Sequence, residues 1–130
     1  MSTRIVADTL IPGRGDPVDG GTVIMAFGEI TYSGPTAGAP LQADDEELVE
    51  VAAVMPGLWD CHAHFVGLPM TNLEAMATAD IVAASARAVD DAQQCINAGV
   101  TSVREVGGIG IRLAQAIAEG RVTGPNIYGA

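Results

Sequence analysis

The sequence contains no lysine, and its six basic residues are all arginines. Against 16 acidic residues they leave a formal net charge of -10 at pH 7. A nucleic-acid surface needs clustered Lys and Arg side chains against the phosphates, so this composition excludes nucleic acid as a partner. The acidic run at residues 44–50 is interpreted as a solvated loop or sheet edge.

Cysteines and long apolar runs are also scarce. Two cysteines, Cys61 and Cys95, are too few for a disulfide framework, and neither belongs to a Cys-x-x-Cys pair. No segment approaches the roughly 18 apolar residues that cross a bilayer. The first ten residues lack the apolar stretch and cleavage site of a signal peptide. We therefore expect a soluble protein of the reducing cytoplasm, with no membrane partner.

The first part of the sequence has the pattern of a small β structure. Short apolar runs alternate with Gly, Pro and Asp residues that are typical of loops. The segment Phe27-Gly28-Glu29 is typical of a tight hairpin turn. The predicted strands are residues 5–10, 22–26, 30–32 and 48–55. We expect residues 1–54 to form a small antiparallel β unit.

After residue 54 the pattern changes to alternating strands and helices. Residues 77–98 are predicted to form a helix, closed by Gly99. Its predicted packed face consists of residues spaced three or four apart: Ile81, Ser85, Val89, Ala92 and Ile96. Residues 100–106 are predicted to be a strand, 109–119 a second helix and 126–128 the start of another strand. This order implies a parallel sheet with helices outside it.

Both histidines of the protein lie within residues 62–64. Side chains alternate faces along an extended strand, so His62, His64 and Asp60 are predicted to share one face, with Cys61 in the core on the other. Two imidazoles on one face can bind the same cation, and the carboxylate can accept a ring N–H and set the tautomer of a ligand. The alternative is a half-exposed polar face without a ligand.

Residues 56–64 read Pro-Gly-Leu-Trp-Asp-Cys-His-Ala-His. This stretch resembles the Pro-Gly-x-x-Asp-x-His-x-His signature of the amidohydrolase superfamily, with Trp59 where an aliphatic residue is commoner. Residues 99–108 are similar to the Gly-Val-Thr-Thr-Val-Arg-Asp-Val-Gly-Gly stretch of its prolidase-like (Xaa-Pro dipeptidase-like) branch, with Glu105 in place of the usual Asp. The resemblance covers almost the entire chain.

The resemblance implies an α/β fold: the start of a (β/α)₈ TIM barrel, preceded by an N-terminal β-sandwich segment. Residues 1–54 would form that segment, and residues 55–130 would form the first βα units. A complete barrel takes about 250 residues. The barrel is therefore expected to be incomplete here and to be finished by a continuation of the chain or by a second chain.

The resemblance also implies the chemistry. His62 and His64 would be ligands of one or two divalent ions, zinc in type, and Asp60 would support a ligand. The family's carboxylated Lys, further His residues and Asp base have no counterpart here, so no catalytic residue is assigned. Arg104 and Glu105 are candidate substrate contacts, and a salt-bridged or solvated strand end is the alternative for both.

The expected activity is hydrolysis of an amide or peptide C–N bond by metal-activated water. The expected substrates are dipeptides, N-acyl amino acids or modified peptides. A cyclic amidohydrolase or a deaminase of the same superfamily is the alternative among enzymes. A truncated or regulatory chain without catalysis is the alternative of another class. An unfinished barrel exposes apolar strand edges, so a homo-oligomer or a second chain is expected to cover them.

Overall fold

The computed structural model describes residues 2–68 and 73–129. The chain divides into two compact units, a first unit at Met1–Pro56 and a second unit at Gly57–Ala130. Within the described ranges, no helix is both long and apolar enough to span a membrane.

The first unit is a four-stranded sheet. Its strands are β1 (Ser2–Leu10), β2 (Val18–Ala26), β3 (Glu29–Pro35) and β4 (Glu47–Val54), in the spatial order β3-β2-β1-β4. The predicted hairpin turn between β2 and β3 is confirmed, with positive φ values of 55° at Phe27 and 81° at Gly28. Two central residues with positive φ match the twist of the flanking strands.

One expectation for the first unit is wrong. The sheet is not wholly antiparallel, because β4 pairs with β1 in parallel. The connection through residues 36–46 is long enough to bring the chain back to the other edge of β1 in the same direction. The acidic run is largely exposed and continues into the edge strand β4, as predicted, with one exception. Glu46 lies 2.6 Å from the Arg4 guanidinium, and both side chains are at most 7% exposed.

The second unit alternates strands and helices. It contains β5 (Leu58–Ala63), α1 (Ile81–Asn97), β6 (Val100–Glu105), α2 (Gly110–Ala118) and β7 (Asn126–Gly129), with a 3₁₀ turn at Leu73–Thr78. The sheet order is β5-β6-β7, and both pairings are parallel, as predicted. The core between sheet and helices consists of Phe65, Ala88, Ala92, Val103 and Leu113.

The predicted start and packed face of α1 need correction. The helix starts at Ile81, after the N-cap Asp80, whose carboxylate accepts a hydrogen bond of 2.9 Å from the Ala83 N–H. The buried residues are Ala84, Ala88 and Ala92, whereas Ile81 is 64% exposed. Alanines spaced by four let the helix approach the sheet closely, and this gain decides the face. Periodicity alone does not distinguish neighbouring rows of a helix that carries apolar residues on both.

Candidate metal centre

The segment with both histidines contains a β-bulge. In the pairing of β5 with β6, Asp60 lies opposite Val103 and Ala63 lies opposite Glu105. Three steps along β5 therefore correspond to two steps along β6, so that Cys61 and His62 together face one residue of β6. A bulge of this kind re-aims side chains and is frequent beside functional sites.

The bulge changes the faces that strict alternation predicted. Val103 and Glu105 are buried on the helix side of the sheet, and paired residues of neighbouring strands share a face. Asp60 therefore lies on the helix side and not on the face of the histidines. The charge distribution agrees, because burial raises the pKa of the Cys95 thiol on α1 and the carboxylates of Asp60 and Asp91 raise it further.

Asp60 contacts the histidine segment through the backbone. Its Oδ1 accepts a hydrogen bond of 2.9 Å from the backbone N–H of His62. The expected contact was instead with a histidine ring. Cys61 was expected in the core, but it is exposed because the bulge turns it out of alternation.

The two imidazoles lie side by side at the carboxyl end of β5. Their ring centroids are 5.3 Å apart and their planes are inclined by 67°. The Nδ1 of His64 lies 2.7 Å from the carbonyl oxygen of Gly107, in the loop between β6 and α2. A carbonyl can only accept, so Nδ1 carries the proton and donates it. In the neutral ring, the lone pair then lies on the Nε2 of His64.

This arrangement fits a divalent cation that prefers nitrogen ligands. Ligating histidines usually donate their other ring N–H to a carbonyl or carboxylate, as His64 does here. Within residues 2–68 and 73–129, no group of three or more His, Cys, Asp and Glu side chains could hold a metal ion. The described residues therefore bring together two candidate ligands.

The two candidate substrate contacts differ in their surroundings. Arg104 is exposed, and its Nε donates to the Cys61 carbonyl at 2.7 Å. Glu105 is only 3% exposed, and its Oε1 accepts from the backbone N–H groups of Phe65 at 3.2 Å and Gly110 at 2.9 Å. These bonds favour a structural role for Glu105 over contact with a substrate.

Sequence reasoning missed the carbonyl of Gly107 as the partner of a histidine ring. The signal in the sequence is the pair Gly107-Gly108, which is typical of a tight turn from strand to helix. Both residues have φ near +150°, a region that favours glycine. The turn brings a backbone carbonyl to the end of the neighbouring strand, which the pattern alone did not indicate.

No family model matches the chain. Among curated proteins, ochratoxinase of Aspergillus niger is 32% identical over 130 residues, which cover 97% of this chain and 27% of that protein. Imidazolonepropionase of Xanthomonas oryzae pv. oryzae is 33% identical over 131 residues, which cover 81% of this chain and 33% of that protein.

Solved structures agree with these relatives. The crystal structure of A. niger ochratoxinase matches 98% of this chain with a TM-score of 0.87 and 31% identity. A prolidase complexed with N-methylphosphonate-L-proline matches 99% of it with a TM-score of 0.84 and 27% identity. The chain spans 30% and 31% of those two chains.

These matches cover both units of the chain. They confirm the predicted fold class, which is the start of a TIM barrel preceded in the sequence by a β segment. The sequence relatives and the solved structures point to the same group of proteins. The chain belongs to the amidohydrolase superfamily, and it corresponds to the N-terminal portion of those proteins.

Proposed function

We propose that His62 and His64 are two metal ligands of a hydrolase that cleaves an amide or peptide-like C–N bond. The observation that carries the proposal is the Gly107 carbonyl on the Nδ1 of His64, which leaves the Nε2 of that ring free beside the ring of His62. Zinc is the proposed ion, because imidazole nitrogen suits it well.

When bound, such an ion supplies Lewis acidity that activates water and polarises a carbonyl group. The residues of this chain position the two imidazoles and the backbone around them. His64 presents Nε2 because Gly107 accepts its other ring proton. Asp60 holds the backbone N–H of His62 and so stabilises the bulge that turns this ring. Arg104, exposed on β6, is a candidate donor to a carbonyl or carboxylate of the substrate.

Two histidines do not complete a catalytic site of this type, which needs at least three protein ligands and an open position. The sequence has two His and no Lys. We propose that the other ligands and the general base come from the rest of the barrel, in a continuation of the chain or in a second chain. Residues 1–54 would then be a β-sandwich segment and residues 55–130 the first βα units.

The proposed substrates are dipeptides, N-acyl amino acids or modified peptides. The likeness to a prolidase bound to N-methylphosphonate-L-proline supports a peptide-like substrate. The match to an imidazolonepropionase favours a second candidate, a cyclic amidohydrolase or deaminase. A panel of linear and cyclic amides, assayed with the complete barrel and added Zn²⁺, distinguishes these two functions.

The ligand proposal is tested by metal binding to the protein with His62→Ala and His64→Ala. Each variant should lose most of its Zn²⁺ affinity, and Cys61→Ala, at the position just before His62, serves as the matched control. Equal Zn²⁺ affinity in all four proteins would contradict the proposal. It would favour the reading of a truncated or regulatory chain without catalysis.

We also propose a cytoplasmic location and an assembly with more polypeptide. Two free cysteines are consistent with a reducing compartment. Trp59 and Tyr128 stack with centroids 5.1 Å apart while 57% and 53% exposed, an apolar surface suited to the rest of a barrel or to a second copy. Light scattering of the purified protein tests the homo-oligomer, and a monomer at all concentrations would contradict it.

A further inference from the structure

Glu105 lies next to the histidine segment, and its carboxylate contacts backbone groups. Its Oε1 accepts from the Phe65 N–H at 3.2 Å and from the Gly110 N–H at 2.9 Å, and both bonds are buried. Phe65 directly follows His64, and Gly110 is the first residue of α2. One carboxylate oxygen thus ties the end of the histidine segment to the start of a helix.

The loop at residues 106–109 connects β6 to α2 and carries the Gly107 carbonyl. It is joined to the histidine segment by three more hydrogen bonds: Val106 N–H to the Ala63 carbonyl at 3.1 Å, Ile109 N–H to the Phe65 carbonyl at 2.9 Å and His64 Nδ1–H to the Gly107 carbonyl at 2.7 Å. The position of the Gly107 carbonyl therefore depends on the hydrogen bonds between the loop and the histidine segment.

Glycines allow the carboxylate to lie this close to the loop. A Cβ at Gly108 would lie 2.5 Å from Oε1 of Glu105, and a Cβ at Gly110 would lie 2.4 Å from its Cδ. The carboxylate is therefore enclosed by the backbone of the loop and of the start of α2.

We propose that Glu105 is a positioning residue for the metal ligand His64. By accepting from Phe65 and Gly110 it keeps the loop in place, and the loop keeps the Gly107 carbonyl on Nδ1 of His64. Without the carboxylate, two buried N–H groups lose their partner, and the loop is held less firmly against the histidine segment. The inference rests on the proposed function because it takes His64 as a ligand.

The test measures the ring tautomer and the metal affinity in Glu105→Ala and Glu105→Gln. Glutamine keeps an acceptor oxygen at the same reach and should rescue both properties. Nitrogen-15 NMR of the metal-free protein should find the Nδ1–H tautomer of His64 in the wild type and in Glu105→Gln. In Glu105→Ala that tautomer should be lost, and Zn²⁺ affinity should fall about tenfold, the lower end for partners that orient a ligand.

Glu119→Ala, which removes an exposed carboxylate of the second unit, is the matched control and should change neither property. If Glu105→Ala does not fold, Glu105→Leu replaces it, because leucine fills a similar space and accepts no hydrogen bond. A folded Ala or Leu variant with the wild-type tautomer and affinity would overturn the positioning role and leave the ligand proposal intact. A tautomer that depends on Glu105 in a protein that binds no Zn²⁺ would support the positioning of the ring and overturn the proposed function.

Discussion

The two units of the chain stabilise their buried charged groups in different ways. In the first unit Arg4 pairs with another buried charge, Glu46, at 2.6 Å, and it also donates to the Pro40 carbonyl at 2.9 Å. In the second unit the charged side chains around the histidine pair bind backbone groups, as Glu105 does with Phe65 and Gly110.

Three further charged side chains of the second unit, which are exposed or partly buried, also bind backbone groups: Asp60 the His62 N–H, Arg104 the Cys61 carbonyl and Arg87 the Gly67 carbonyl. The ion pair of the first unit joins two side chains, and the bond from Arg4 to Pro40 adds one contact with a loop carbonyl. A side chain on backbone fixes the path of a loop, which a ligand needs if it is to be aimed within a fraction of an ångström. In the second unit, hydrogen bonds from charged side chains to the backbone hold the loops in place.

The largest effect is expected at Gly67, where the loop after the histidine segment lies against the backbone of α1. Gly67 has a φ of +61°, and a Cβ there would lie 1.9 Å from the Ala84 carbonyl oxygen. Gly67→Ala should lower the free energy of unfolding by about 4 kcal/mol, since backbone strain and overpacking add. Urea unfolding followed by Trp59 fluorescence measures it. Gly99→Ala, with a φ of +80° and no atom within 4 Å of its Cβ, should lose only about 1 kcal/mol.

The ion pair of the first unit is expected to have the next largest effect. Glu46→Ala removes the ion-pair partner of the buried Arg4 guanidinium, which keeps its hydrogen bond to the Pro40 carbonyl. The loss should cost about 3 kcal/mol in urea unfolding followed by circular dichroism. Glu47→Ala, at a neighbouring exposed carboxylate, should cost less than about 0.5 kcal/mol. Zn²⁺ affinity should be unchanged in both. A loss of affinity in Glu46→Ala would break the division of roles between the units.

A smaller effect is expected at the start of α1. Asp80→Ala removes the acceptor of the Ala83 N–H and should cost about 1 kcal/mol. Asp90→Ala, within the same helix and exposed, should be neutral within about 0.5 kcal/mol. Thermal unfolding of the two variants checks the difference. Equal stability of the two variants would mean that the hydrogen bond from Asp80 to the backbone contributes little to the stability of the second unit.

The smallest effect distinguishes the two faces of the second unit's sheet. Burial, Asp60 and Asp91 raise the pKa of the Cys95 thiol, so its thiolate fraction at pH 8 is below that of an ordinary cysteine. Iodoacetamide should therefore alkylate Cys95 more slowly than the exposed Cys61, as measured by peptide mass spectrometry. Asp91→Asn removes one negative charge and should speed the reaction of Cys95. Faster reaction of Cys95 than of Cys61 in the wild type would contradict the raised pKa of the Cys95 thiol.

Local patterns predicted the elements of both units because short-range chemistry decides them. The hairpin at Phe27 and Gly28 follows from turn residues between apolar runs, and the parallel sheet follows from alternating strands and helices. The histidine spacing indicated neighbouring imidazoles, which the structure brings to 5.3 Å. The fold class and the family could therefore be predicted from residues alone.

Other features could not be predicted because they depend on neighbours distant in the sequence. The parallel pairing of β4 with β1 and the buried contact of Glu46 with Arg4 join residues about forty positions apart. The packed face of α1 is the one with its alanines, because these small side chains let the helix approach the sheet closely. Single-residue patterns carry no information on these contacts.

The sequence by itself determined which residues are available at the candidate site: two histidines two positions apart, an aspartate before them and a pair of glycines after the next strand. Only the tertiary structure decided what they contact. The bulge at Cys61 and His62 moved Asp60 to the other face, and the turn at Gly107 supplied the partner of the His64 ring. The physical reason is that the register between strands, unlike alternation within one strand, is set by packing and backbone hydrogen bonds across the sheet.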